Sequence, residues 1–219
     1  MKSALKIMIL GSASLILVAG TLIAAGPLDP PTGPISSIYK TLTEVEPRIP
    51  LNATNTPGDS DSVFKITQPG SYYLVNNISV GSGKFGIEIA SDRVTVDLNG
   101  YAITGVSGSF DGVSVVGANR SMITVRNGLI RSMGGDGVDL LASGNSTSSG
   151  HLVENLTVRS CDAGIRIDSG IVRQSTVSEC ASDGIYALGW SAGGILVEGC
   201  VASGNAEDGI SVGNGTVRS

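Results

Sequence analysis

Four aspartates stand directly before a glycine and a β-branched residue: Asp111-Gly112-Val113, Asp136-Gly137-Val138, Asp183-Gly184-Ile185 and Asp208-Gly209-Ile210. Two chemistries suit such carboxylates. An Asp before Gly accepts hydrogen bonds from neighbouring backbone N–H groups in a turn. Carboxylates brought close together, with Asp139 beside them, can instead share calcium, which takes oxygen ligands; Asp111, Asp136, Asp183 and Asp208 are the metal candidates, and no cofactor is required. Two residues beyond each glycine comes a polar residue, in the order Glu88, Ser114, Asp139, Arg166, Tyr186, Ser211. Arg or Tyr can give or take a proton at a sugar carbon while carboxylates hold a cation. Asp139, Arg166 and Tyr186 are therefore the catalytic candidates, and Glu88, Ser114, Asp139, Arg166 and Tyr186 the ligand-binding ones. The plainer alternative makes Asp139 and Arg166 a cross-strand ion pair worth under about 1 kcal/mol.

Other short motifs resolve into turns. Gly189-Trp190-Ser191-Ala192-Gly193 has the letters of a nucleophile elbow, but a strand-like Ile195-Leu196-Val197-Glu198 follows where a helix belongs, and the single histidine, His151, lies upstream. Gly81-Ser82-Gly83-Lys84-Phe85-Gly86 spells a dinucleotide fingerprint, yet leads into another strand and offers no helix N-terminus to a pyrophosphate. Gly134-Gly135-Asp136-Gly137-Val138-Asp139 is one copy of a calcium β-roll repeat that needs tandem copies. His151 follows a Ser/Gly-rich stretch and is expected in an exposed loop. Cys161 and Cys180 share a register six residues after Asn155 and Gln174, and are expected as buried stacked thiols, a disulfide being the alternative. Asn127 and Asn155 share another register, suited to an amide ladder.

The elements that position these residues follow from repetition. The glycines at 86, 112, 137, 164, 184 and 209 are 26, 25, 27, 20 and 25 residues apart, each opening a short apolar-polar-apolar strand. A second register runs Val125-Arg126-Asn127, Val153-Glu154-Asn155, Val172-Arg173-Gln174, Val197-Glu198-Gly199 and Val217-Arg218. A period near 25 is too short for helical repeats or propeller blades, and the fixed Leu/Asn pattern of leucine-rich repeats is missing. Alternation sends Val, Ile and Leu inward and the polar column outward. The expected fold is all-β: a right-handed parallel β-helix solenoid with coils of about 25 residues.

With the Asp-Gly-Ile openers, the stretch Val94-Thr95-Val96-Asp97-Leu98-Asn99-Gly100-Tyr101-Ala102-Ile103-Thr104-Gly105 and Arg126-Asn127-Gly128, residues 63 to 219 resemble the right-handed parallel β-helix proteins of the pectate-lyase-like superfamily. Residues 39 to 74 look like the N-terminal part of exported bacterial members. The resemblance implies the fold; the superfamily's activities range from lyases and hydrolases to inert surface proteins. It also implies a substrate groove along the outside of one sheet.

Lys2 and Lys6 precede an apolar run from Ile7 to Ile23 and the small residues Ala24 and Ala25, so residues 1–25 are expected as a cleaved export signal, an uncleaved anchor being the alternative. Residues 26–62 are expected as a Pro/Thr/Asn-rich linker, 63–84 as strands capping the first coil, and 85–219 as the repeats, incomplete at the C-terminus, where Val217-Arg218-Ser219 enters another strand and leaves an edge open to end-to-end self-association. The chain is expected to be secreted, with no membrane partner once the signal is cleaved. A net charge of -5 over 219 residues, with no basic cluster outside the leader, argues against nucleic acid. Two functional readings follow: a protein that meets extracellular or cell-surface polysaccharide with its polar sheet, with a calcium-dependent lyase as its catalytic form, or a non-catalytic surface scaffold.

Overall fold

The computed structural model describes residues 47–117, 119–141, 148–189 and 194–219; the expected signal, the first part of the expected linker and the Gly-Trp-Ser-Ala-Gly motif from Trp190 to Gly193 lie outside the described residues. Among the described residues every regular element is a strand: β1 Ile49–Leu51, β2 Ser62–Ile66, β3 Gly70–Leu74, β4 Ile78–Ser79, β5 Phe85–Ile89, β6 Val94–Asp97, β7 Ala102–Thr104, β8 Val113–Val115, β9 Ile123–Arg131, β10 Val138–Leu140, β11 His151–Arg159, β12 Ile165–Ile167, β13 Gly170–Arg173, β14 Thr176–Ser178, β15 Ile185–Ala187, β16 Ile195–Glu198, β17 Val201–Ser203, β18 Ile210–Val212 and β19 Gly215–Arg218. All pair in parallel with the equivalent strand of the next coil. One sheet has seven strands, β2-β5-β8-β10-β12-β15-β18. The second has twelve, in two legs: β1-β3-β6-β9-β11-β13-β16-β19 and β4-β7-β9-β11-β14-β17. The long strands β9 and β11 run through both legs, so each coil has three straight sides. The expected parallel solenoid is what the chain forms.

Alternation does the sorting. Ile87, Val113, Val138, Ile165 and Ile185 stack inward from the seven-stranded sheet; Val96, Val125, Val153, Val172 and Val197 come from the first leg of the other, and Ile103, Ile130, Val158 and Val177 from the second, all with no exposed surface. Each fully buried side chain of this size contributes about 1.5–3 kcal/mol, and the columns exclude water because every coil repeats the same pattern.

The repeated glycine has a specific cause. A Cβ on Gly112, Gly137 or Gly184 would lie 2.5 to 2.6 Å from the carbonyl oxygen of the glycine in the next coil, and Gly86 and Gly164 meet the following glycine's oxygen in the same way. At these five glycines the backbone of one coil touches the backbone of the next. Corners are built by residues in the left-handed region: Asn127, Asn155, Gln174 and Gly199 at one, Ser132, Ser160, Glu179 and Gly204 at the next. Asn tolerates that conformation best among residues with a side chain. The expected amide ladder is present there, Asn155 Nδ2 donating to Asn127 Oδ1 at 3.4 Å and Asn127 Nδ2 to Asp97 Oδ1 at 3.2 Å, but it runs along the outside of the corner.

The solenoid starts earlier than the expected linker and cap allow. β2 and β3 are themselves coil strands, with Phe64 opposite Ile87 and Tyr72 opposite Val96, and β1 pairs with β3 in turn. Leu51, followed by Leu74, and Ile66, followed by Ile89, begin inward columns.

A candidate ligand-binding face on the seven-stranded sheet

Register places the polar column in one line: Lys65, Glu88, Ser114, Asp139, Arg166, Tyr186 and Ser211 lie opposite one another across β2, β5, β8, β10, β12, β15 and β18. The line is not uniformly open. Glu88 is 3% and Ser114 6% exposed. Lys65 Nζ stands 3.0 Å from Glu88 and 2.6 Å from Asp59, and Lys84 Nζ donates to the carbonyls of Asp59 and Ser60, which ties residues 59 and 60 to β2 and the turn before β5. These residues precede β2, in the segment expected as linker, so nothing in the repeat pattern announced them. Glu88 and Ser114 are thus in the column but not at its surface. Among the described residues, the group of three carboxylates within 4.8 Å of one another is Asp59, Asp61 and Glu88, with Lys65 beside it.

The opener aspartates bond between coils, where local turn bonding was expected. Asp111 Oδ1 accepts from Asp136 N at 2.8 Å, Asp136 Oδ1 from Ala163 N at 2.9 Å and Asp183 Oδ1 from Asp208 N at 3.0 Å. Each carboxylate therefore points at an N–H one coil on, which offsets the repulsion between stacked charges. The second oxygen of Asp136 takes Arg166 Nη1 at 2.9 Å, and the same Nη1 lies 3.5 Å from Asp139 Oδ2. Arg166 thus bridges two carboxylates of the coil before it, Asp136 more closely than Asp139, its register partner. Asp139 Oδ1 accepts from Leu141 N at 2.8 Å. Burial pushes the Asp139 carboxyl up to about 6, the charges of Asp111 and Asp136 adding to it while Leu141 N–H and Arg166 oppose it. Burial likewise raises Asp111.

Arg166 also lies over Tyr186, 5.8 Å from the ring centre, within cation–π range. The two line a shallow depression of about 380 Å³ with Asp136, Asp162, Asp183 and Glu207. Guanidinium, phenol ring and carboxylates thus face solvent together at the spacing of successive coils. The fingerprint at Gly81 to Gly86 is the turn entering β5, as its sequence context requires.

His151 differs from expectation. It opens β11, its side chain has no exposed surface, and it stands in the inward column beside Ile123. Ile123 N donates to Nδ1 at 3.3 Å, so Nε2 carries the ring proton, 3.7 Å from Asp168 Oδ1; the Ser148 hydroxyl bonds the other oxygen of Asp168. Serine, aspartate and histidine meet here without nucleophilic chemistry, because the carboxylate stands between serine and ring and the ring has no lone pair facing the serine. Burial lowers the His151 pKa. The signal for its position was available, since Leu152 and Val153 continue the strand alternation back to residue 151.

A second feature of the repeats passes unremarked in the sequence until the register is known. Asp97, Arg126, Glu154, Arg173, Glu198 and Arg218 are successive partners on the outer face of the first leg. Their signs alternate, with Arg126 3.2 Å from Asp97 and Arg173 2.6 Å from Glu154. Parallel in-register stacking puts each residue against its own position in the next coil, and alternation converts repulsion into pairing. Glu154→Lys would place three cations in a row, and is expected to lower stability by about 2 kcal/mol, less at high salt, in urea melts.

A search of curated proteins and one of solved structures each return no match to this chain. Residues 64–218 match the family model described as "Right handed beta helix region". That span covers nearly all of the coils traced above, and with the all-parallel register it establishes that the chain belongs to the right-handed β-helix family.

Proposed function

We propose that the outer face of the seven-stranded sheet binds an extended polysaccharide, with Arg166 and Tyr186 at the centre of the contact and without turnover. The observation that supports this reading is the depression lined by Arg166, Tyr186, Asp136, Asp162, Asp183 and Glu207. A sugar offers hydroxyls to carboxylates and guanidinium and an apolar ring face to the phenol, and a chain of sugars repeats those groups along a line as the coils do. Asp139 lies beneath Arg166 with its carboxyl raised to about 6, where a proton can be exchanged near neutral pH; that is the feature a lyase would use. The reading goes with export, which the leader-like first 25 residues support.

The non-catalytic scaffold is favoured by a different observation. Asp111, Asp136 and Asp183 each direct one oxygen to the N–H of the following coil, a structural task that needs no ligand. The test is a binding titration against acidic, neutral and amino-bearing polysaccharides, with calcium and with chelator, followed for new reducing ends and unsaturated products. Binding without release is expected, weakened about tenfold, or about 1.4 kcal/mol, by Tyr186→Ala. Beyond its strand pairing Tyr186 contributes to the coil stack only an outward cation–π contact with Arg166, so circular dichroism of that variant should match the parent. Calcium-dependent release of unsaturated sugars would establish a lyase; absence of binding to every polymer would leave the scaffold.

A further inference from the structure

Cys161 and Cys180 lie two residues beyond the paired positions Arg159 and Ser178, on successive coils. Both are buried, at 4% and 3% exposure, and both are free thiols. Their conformations are the same. Cys161 Sγ donates to Arg159 O at 3.4 Å and Cys180 Sγ to Ser178 O at 3.6 Å, each to the carbonyl two residues back. A Cβ on Gly137 would stand 3.6 Å from Cys161 Sγ, and one on Gly164 3.4 Å from Cys180 Sγ, so each sulfur also faces the equivalent glycine. Two side chains related by one coil step have sulfurs about 4.8 Å apart, the spacing of neighbouring strands.

That separation is wrong for a disulfide and right for a bridge. A disulfide needs sulfurs about 2.05 Å apart, whereas the shared conformation turns each sulfur to the carbonyl two residues back and keeps the two a coil step apart. A metal–thiolate bond of about 2.3 Å on each side of one ion spans about 4.6 Å. The ion must be soft and accept two sulfurs in line. We propose that Cys161 and Cys180 form a two-coordinate site for a thiophilic metal ion of the mercuric class. On binding, both S–H bonds break, two metal–sulfur bonds form and two protons leave to solvent, with no change of oxidation state. A divalent ion with two thiolates is neutral, which suits an apolar corner where a lone charge would be costly. A surface depression of about 380 Å³ lined by Met133, Cys161, Glu179 and Cys180 is the way in. Cys200 stands at a different corner, its Sγ bonded to Glu198 O at 3.5 Å.

The experiment titrates mercuric chloride into the full chain carrying Cys200→Ser. One ion per chain is expected, with two protons released, both thiols lost together to labelling, and a raised Tm because the ligand binds the folded state. Cys161→Ser and Cys180→Ser, each added to that background, should weaken binding at least about 100-fold through loss of the second arm, while their sheet signal and cooperative melts remain; Cys→Ala at the same positions controls for the hydroxyl. Two ions bound independently, equal affinity in the single-thiol variants, or an unchanged Tm would overturn the site. So would ready closure of a Cys161–Cys180 disulfide by oxidised glutathione without metal, which would show the sulfurs to be nearer than one coil step.

Discussion

Gly112→Ala is expected to lower stability by about 3 kcal/mol or more, while Gly209→Ala leaves it nearly unchanged. The new methyl at residue 112 would stand 2.6 Å from Gly137 O and 2.6 Å from Ile130 Cγ2. Neither can yield cheaply: one is backbone held in the parallel register of β8 and β10, the other a fully buried core residue. Relief requires two coils to move apart, which weakens Gly112 N to Asp136 O and Val113 N to Gly137 O together. At Gly209 the nearest atom to a new Cβ is Ala202 Cβ at 3.4 Å, an ordinary contact. The pair thus contains its own control, because both residues open the same motif and differ only in what lies against them. Urea denaturation of both variants measures it. Equal losses at the two positions would mean that the glycine is required for backbone conformation alone, and that stacking is not its cause.

Asp139→Asn is expected to raise stability above pH 6 and to do little below pH 4. The folded-state carboxyl is held near 6 against an ordinary 3.8, burial being the main cause. Between those values the folded protein keeps a proton that the unfolded chain has lost, so stability falls as pH rises through the window, and the whole loss is present once both states are ionised. A shift of that size corresponds to about 3 kcal/mol. The amide oxygen can still accept from Leu141 N, as Asp139 Oδ1 does at 2.8 Å. Melts of parent and variant should coincide near pH 4 and separate by neutral pH, with the variant higher. A constant gap, or a variant less stable at neutral pH, would show that Arg166 compensates the ionised carboxylate fully. The Asp136 carboxylate is the contrast, with one oxygen satisfied by Ala163 N and the other by Arg166.

Much of the architecture was legible before any coordinates. Spacing of the glycines from 86 to 209 and period-2 alternation in the openers determined coils, inward columns and the line from Glu88 to Ser211, because a parallel in-register solenoid repeats each residue's surroundings at the coil period. Positions defined by repetition can be read from repetition. The inward stacking of Cys161 and Cys180 belongs to the same class, as does the glycine's place in every opener.

What lay outside the repeat could not be read that way. Residues 57 to 61 precede the first opener, so their place beside Glu88 depends on Lys65, which joins Asp59 to Glu88, and on Lys84, which reaches back 25 positions to the Asp59 carbonyl. For His151 the sequence carries two opposed signals, a preceding stretch rich in Ser and Gly that points to a loop and an alternation through Leu152 and Val153 that points inward; the packing of β11, with Ile123 N bonded to the ring, decides for burial. Direction of hydrogen bonding was equally hidden: an Asp before Gly has the same letters whether it turns to its own backbone or to the next coil, and Asp111, Asp136 and Asp183 do the second. The sequence by itself determined the period, the faces and the alignment of the polar column, since these follow from alternation and repeat length. Only the tertiary structure decided which members of that column reach solvent and which carboxylate Arg166 holds most closely, because burial and ion pairing depend on how neighbouring coils and the segment before β2 meet, and spacing along the chain does not encode that distance.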